Sequence, residues 1–148
     1  VSPLSPPVPS DRDVAPSLKR LARGLVEASG EMAVLTSTPS LLYYTGVTNL
    51  FEKPDFQDQS CVHDLSLFLD RLDEAMVALT DSVPEHEPIV MIGTQNPLGD
   101  VFSAIVIRYR LPYEQEGLLG LVGPLRMDYA LNLSLITQAK AALDEWYG

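Results

Sequence analysis

The order of apolar patterns along this chain predicts an α+β domain, an antiparallel sheet with helices packed on it. Three observations carry the prediction. Helical stripes recur at the start, middle and end, in "PSLKRLARGLVEASG", "DLSLFLDRLDEAMVAL" and "ALNLSLITQAKAALDEW". Short β-type runs lie between them, two before the middle helix and three after it. The last two runs, "DVFSAIVIRYR" and "GLLGLVG", are separated only by "LPYEQE", a connection short enough for an antiparallel hairpin-like pair.

Each element has its own justification. Residues 1–16 hold five of the twelve prolines among Ser and Asp, so this stretch is expected to be an extended tail or linker, with the folded domain at 17–148. Leu18, Leu21, Ala22, Leu25 and Val26 then repeat at helical spacing, with Pro16 and Ser17 opening the helix and Gly30 closing it. "EMAVLT" and "SLLYYTG" are strand-like runs on either side of the turn signal "STPS". "NLFEKPDFQDQ" reads as irregular, broken by Pro54 and anchored by Leu50, Phe51 and Phe56. From about Asp64 to Leu79, the residues Leu65, Phe68, Leu69, Leu72, Met76 and Leu79 form one apolar stripe, which predicts a single helix. "DSVPEHEP" is a polar loop and "PIVMIG" a short buried strand. "DVFSAIVIRYR" is apolar on both faces early and polar late, as an inner strand whose end reaches water should be. Leu131, Leu135, Ile136, Ala139, Ala142, Leu143 and Trp146 make the stripe of the final helix.

Composition narrows the function classes. At 148 residues the chain suits one domain with a substantial core. Its 20 acids against 10 bases give a net charge of −10, a sign that DNA phosphates repel, and no Lys/Arg cluster offsets it locally. Lys19, Arg20 and Arg23, and Arg108 with Arg110, are the densest basic groupings, and both read as solvated surface. No apolar stretch approaches the roughly 20 residues of a membrane span. The single cysteine, Cys61, excludes an internal disulfide and a multi-thiolate metal site, which favours a reducing, cytoplasmic setting.

Candidate catalytic groups are few. Cys61, His63 and Asp64 lie within four residues, but a cysteine nucleophile usually meets its histidine across the fold. A zinc site would need a second pair of ligands. Asp64 as the N-cap of the middle helix, with Cys61 packed and His63 exposed, explains "CVHD" without chemistry. Glu85, His86 and Glu87 sit in a proline-flanked loop and diverge from one another. "GTQNPLGD" lacks the Lys-Ser/Thr ending of a phosphate loop and reads as a strand connection. No enzyme, cofactor or metal is expected.

The stretch "GLLGLVGPLRMDYALNLSLI" (117–136) places Arg126 and Asp128 at the passage from strand to helix. Asp128 suits the N-cap, where a carboxylate meets unpaired backbone N–H groups. Met127 can seat the helix on the core, and the planar fork of Arg126 suits nearby backbone carbonyls or a carboxylate. That arrangement is a structural latch. An anion site at the same helix end is the alternative, with Asp128 competing for its donors.

"GLVGPLRMDYA" (120–130) resembles a signature near the C-terminus of the heat-inducible transcription repressors, the HrcA family. Three further blocks agree in order: "YYTGVTNLFEKPDFQD" (43–58), "VMIGTQNP" (90–97) and "FSAIVIRYRLP" (102–112). The match covers roughly residues 18 to 146, and the signature block, Gly123, Pro124, Arg126, Met127, Asp128 and Tyr129, is its most specific part. Gly46, Asn49, Leu50, Pro54 and Phe56 mark a second segment with a possible interaction role. The resemblance implies a GAF-like regulatory and assembly domain of a repressor of chaperone operons. It implies a homodimer, a GroE-type chaperonin as partner, and operator DNA bound through an N-terminal winged-helix domain expected upstream of Val1. This chain departs by having Leu125 for the usual Thr and Leu131 for the usual Arg. It also runs from "AVLTSTPS" into "LLYYTG" where the family carries further strands and a dimerisation insert. A stand-alone GAF-like module binding a small ligand, with the tetrad 126–129 lining its pocket, is the competing reading.

Overall fold

Alternation along the strands decides the layering. In the longest strands nearly every residue is apolar, so both faces of the sheet must be covered. The computed structural model describes residues 14–37, 41–56, 59–93, 101–111 and 115–147. Its elements are α1 (Val14–Ser29), β1 (Met32–Ser37), β2 (Leu41–Thr45), α2 (Val47–Glu52), α3 (Gln59–Asp70), α4 (Leu72–Leu79), β3 (Ile89–Ile92), β4 (Phe102–Arg110), β5 (Glu116–Pro124) and α5 (Tyr129–Tyr147). The five strands form one antiparallel sheet in the order β2-β1-β5-β4-β3. The α+β expectation holds, and so does the hairpin pairing of the last two strands, which run in register from Phe102↔Pro124 to Arg110↔Glu116.

One face of the sheet presents Met32, Val34, Phe102, Ala104, Val106, Leu118 and Val122 to the buried side chains of α2, α3 and α4. Phe56 stacks on Phe102 with ring centroids 5.4 Å apart, and Phe68 packs tilted against it at 4.7 Å. The other face presents Ala33, Leu35, Ile105, Ile107, Tyr109, Leu119 and Leu121 to α1 and α5. The result is three layers, helices on both faces of the sheet. Of the stripes foreseen for α1 and α5, Leu18, Leu21, Ala22, Leu25, Ile136, Ala139 and Leu143 are buried, Val26, Leu135, Ala142 and Trp146 are half-buried, and Leu131, in the first turn of α5, is exposed. Gly30 ends α1 with φ 73 and donates its N–H to the Val26 carbonyl at 2.9 Å, a left-handed cap that costs glycine nothing.

Three expectations need correction. The middle helix starts at Gln59, so Asp64 lies inside α3 and cannot be its N-cap; no Pro or Gly between 59 and 64 stops the helix from extending backwards. That helix is also two helices. Arg71 leaves helical geometry at φ −110, ψ 9, while its N–H stays shared between the Leu67 and Phe68 carbonyls. The stripe therefore continues in phase, and Leu65, Phe68, Leu72, Met76 and Leu79 are all buried. Finally, 49–59 is not simply irregular: α2 occupies 47–52 and a 3₁₀ turn spans Pro54–Phe56. The helix there is too short for a periodic signal. The turn expected at 38–40, most of "GTQNPLGD", the tail 1–13 and the Cys61 side chain lie outside the described residues.

Candidate functional site

Two sequence segments stand out, 46–56 and 123–132, and the fold joins them at a residue outside both. Glu31 follows Gly30 and immediately precedes β1, and only 3% of it is exposed. Its backbone is held first: its N–H donates to Ser29 Oγ at 3.1 Å, and its carbonyl accepts from Asn49 Nδ2 at 3.0 Å. Gly46, which opens α2, has φ 87, and a Cβ there would come 2.8 Å from the Val26 methyls and 3.0 Å from the Glu31 carbonyl oxygen. Glycine is required at 46 by both backbone and space.

The Glu31 side chain then runs beneath the turn after β5. A Cβ on Gly123 would lie 2.5 Å from Glu31 Oε2 and 3.0 Å from the end of Met127. The missing side chain at 123 is thus the space the carboxylate fills. Lys53, just past α2, brings Nζ to 3.0 Å from Oε1. Asn132 in α5, 1% exposed, places Nδ2 3.4 Å from Oε2 and 3.4 Å from Met127 Sδ. Burial pushes the Glu31 carboxyl above the ordinary glutamate range; Lys53 and Asn132 oppose the rise and Asp128 adds to it.

The signature tetrad behaves partly as its sequence suggests. Asp128 is the N-cap of α5, accepting from the Leu131 N–H at 3.0 Å, the third helical residue. Met127 is buried against the second core, with its N–H on the Pro124 carbonyl at 3.1 Å. The Tyr129 hydroxyl donates to the Leu125 carbonyl and shares a 2.7 Å hydrogen bond with Ser103 Oγ, tying the helix start to β4. Arg126 differs from expectation. Its side chain is 82% exposed and faces Asp55 Oδ2 at 3.5 Å, so it satisfies no buried carbonyl. The turn ends before the guanidinium can reach the interior.

In the second segment, Leu50 and Phe56 are buried core residues, Asn49 binds Glu31, and Pro54 is exposed at the start of its turn. Segment 46–56 is therefore tied to 123–132 through Glu31 inside and through Arg126–Asp55 outside. Sequence reasoning missed both Glu31 and Lys53. An acid at a strand start and a lysine beside a proline carry no signal that they will meet.

A second buried charge was also missed. Arg108 in β4 is 8% exposed, not solvated surface. Its Nε and Nη2 donate to the Val83 carbonyl at 3.2 and 3.0 Å, Nη2 also reaches the Thr80 carbonyl, and Nη1 pairs with Glu116 Oε1 at 3.0 Å. It caps the chain leaving α4, where carbonyls lack helical partners. Arg110, two residues nearer the strand end, is exposed and pairs with Glu85, holding that carboxyl below its ordinary range. His63, Glu85, His86 and Glu87 are exposed, and among the described residues no group of three His, Cys, Asp or Glu is placed to hold a metal.

A family model described as "HrcA protein C terminal domain" matches residues 9–131, most of the chain, including segment 46–56 and residues 123–131. The chain belongs to the HrcA family. It is 30% identical over 106 residues to the heat-inducible transcription repressor HrcA of Moorella thermoacetica, covering 70% of this chain and 30% of that protein. It is 32% identical over 108 residues to the HrcA of Acholeplasma laidlawii, covering 71% and 30%. This HrcA domain spans about a third of the length of the curated relatives it matches. A crystal structure described only as that of a hypothetical protein superimposes with a TM-score of 0.59 at 16% identity, covering 74% of this chain and 34% of that one. That likeness concerns the fold alone. No helix among the described residues is long and apolar enough to cross a membrane.

Proposed function

We propose that this chain is the regulatory and assembly domain of a heat-inducible repressor of chaperone operons, working in the cytoplasm as a homodimer with no catalytic activity. Operator DNA is contacted by a winged-helix domain outside the chain, and a GroE-type chaperonin is the partner that sets repressing activity. The single observation that carries this reading is the HrcA C-terminal match across residues 9–131. Charge supports the division of labour: a net −10 leaves DNA to another domain. The tetrad supports regulation over ligand capture, because Met127, Asp128 and Tyr129 are engaged by the chain itself.

A mobility shift with a duplex inverted-repeat operator at moderate salt tests the division. The 148-residue chain alone should leave the duplex unshifted, and the chain joined behind a winged-helix domain of a relative should retard it. Sequence-specific retardation by the chain alone would overturn the reading. Sedimentation of the same chain with and without GroE-type chaperonin tests the partner, and a complex is expected.

A further inference from the structure

Glu31 is faced from every side by an identifiable group. Lys53 approaches from beyond α2, Asn132 and the like charge of Asp128 from the head of α5, and the bare Gly123 backbone from β5. At the end of α1 the Ser29 hydroxyl is used by the Glu31 backbone. Yet the hydrogen bonding of this cluster is incomplete. Lys53 Nζ is close enough to pair electrostatically with Oε1, but Oε1 has no aligned hydrogen bond, and the Asn132 Oδ1 is buried without a partner. The one amide contact, at 3.4 Å, is long for a donor meeting a carboxylate.

Two buried acceptors in one cluster, Glu31 Oε1 and Asn132 Oδ1, lack a donor, and a proton on the carboxyl would supply one. An ionised carboxylate and an amide oxygen cannot pair, since both only accept. A carboxylic acid can do so: its O–H donates to the amide oxygen. Half a turn of the Asn132 amide about its last bond puts its oxygen where the nitrogen now faces Oε2, exchanging the Nδ2 contacts to Oε2 and Met127 Sδ for that bond. We propose that Glu31 is a proton-operated joint, ionised and held to Lys53 in one state, protonated and hydrogen-bonded to the Asn132 amide oxygen in the other. Uptake of one proton moves the tie of Glu31 from segment 46–56 to α5. Lys53, at 31% exposure, turns its ammonium to water when released. The raised Glu31 carboxyl fits this exchange, placing it above the pH range where glutamates usually titrate.

The proposal does not depend on the repressor reading and is tested on the 148-residue chain by NMR. The Glu31 carboxyl carbon and the Asn132 side-chain amide are followed between about pH 4 and pH 8. Both should change with one midpoint, above that of an ordinary glutamate. In Glu31→Gln the Asn132 signals should stop titrating. Lys53→Met, which removes only a part-exposed side chain, should raise the Glu31 midpoint further. Titration of Glu31 in the ordinary range, an Asn132 amide indifferent to it, or an unmoved midpoint in Lys53→Met would each overturn the joint.

Discussion

Arg108 and Glu31 are both buried charges that fasten a helical segment to the sheet, and they are satisfied to very different degrees. The guanidinium presents a rigid fork of donors, and the Thr80 and Val83 carbonyls and Glu116 accept from it on three sides. The carboxylate needs several donors and finds one poorly aligned ammonium and one distant amide, with Asn132 Oδ1 left over. A buried charge with matched partners makes a fixed clamp; one with partners to spare on the acceptor side makes an adjustable joint. The difference separates the α4 side of the molecule, which is locked, from the side carrying the family signature, which is not.

That contrast can be broken at the clamp first. Arg108→Met strips the Thr80 and Val83 carbonyls of their donor inside the protein and should lower stability by about 3 kcal/mol in chemical denaturation. A loss no larger than that of an exposed arginine would mean the clamp is ornamental. Gly123→Ala drives a methyl into the Glu31 carboxylate and should cost about 1–3 kcal/mol. In a Glu31→Ala background the same change should cost clearly less, and additive losses would separate the two residues.

Asp128→Ala removes the α5 N-cap for about 1 kcal/mol, while Arg126→Ala, at a solvent-exposed pair, should cost under about 1 kcal/mol and less still in salt. The reverse order of those two would restore a buried role for Arg126. Finally, pH sharpens the comparison. Since the folded Glu31 holds its proton more tightly than the unfolded chain does, its stabilising contribution is complete below the unfolded value and is lost as pH rises through the folded one. The stability of the parent relative to Glu31→Gln should therefore fall over that window, whereas the difference between the parent and Arg108→Met, both of which keep Glu31, should stay level there.

Much of this architecture was legible because burial imposes periodicity. The runs 102–110 and 116–124 are apolar on both faces, and each is an inner strand covered by helices on both sides. The stripe of α5 and its cap at Asp128 follow from spacing and from one carboxylate ahead of it. The junction was not legible, because Glu31, Lys53 and Asn132 meet only after β1, α2 and α5 are assembled. Nothing in the neighbourhood of an isolated Glu or Lys in sequence distinguishes a buried partner from a solvated one. Arg126 was misplaced for a related reason: a motif shows which residue types occur together, and the turn decides which of them points inward. Arg108 and Arg110 share a strand face, and only their distance from the sheet edge decides that one is buried and the other wet.

The centre of the sheet is formed by β1 and β5, paired from Met32↔Val122 to Leu35↔Leu119, so strands from opposite ends of the domain lie side by side. Of the sheet's five strands β1 and β2 are made first, and a lone two-stranded hairpin is marginal in water. The middle of the domain waits for a segment made about 90 residues later. High sequence separation of this kind slows folding, because the closure of a long loop precedes any reward. Until then β1, with Met32, Ala33, Val34 and Leu35, is an unprotected apolar edge, the sort of surface on which nascent chains aggregate.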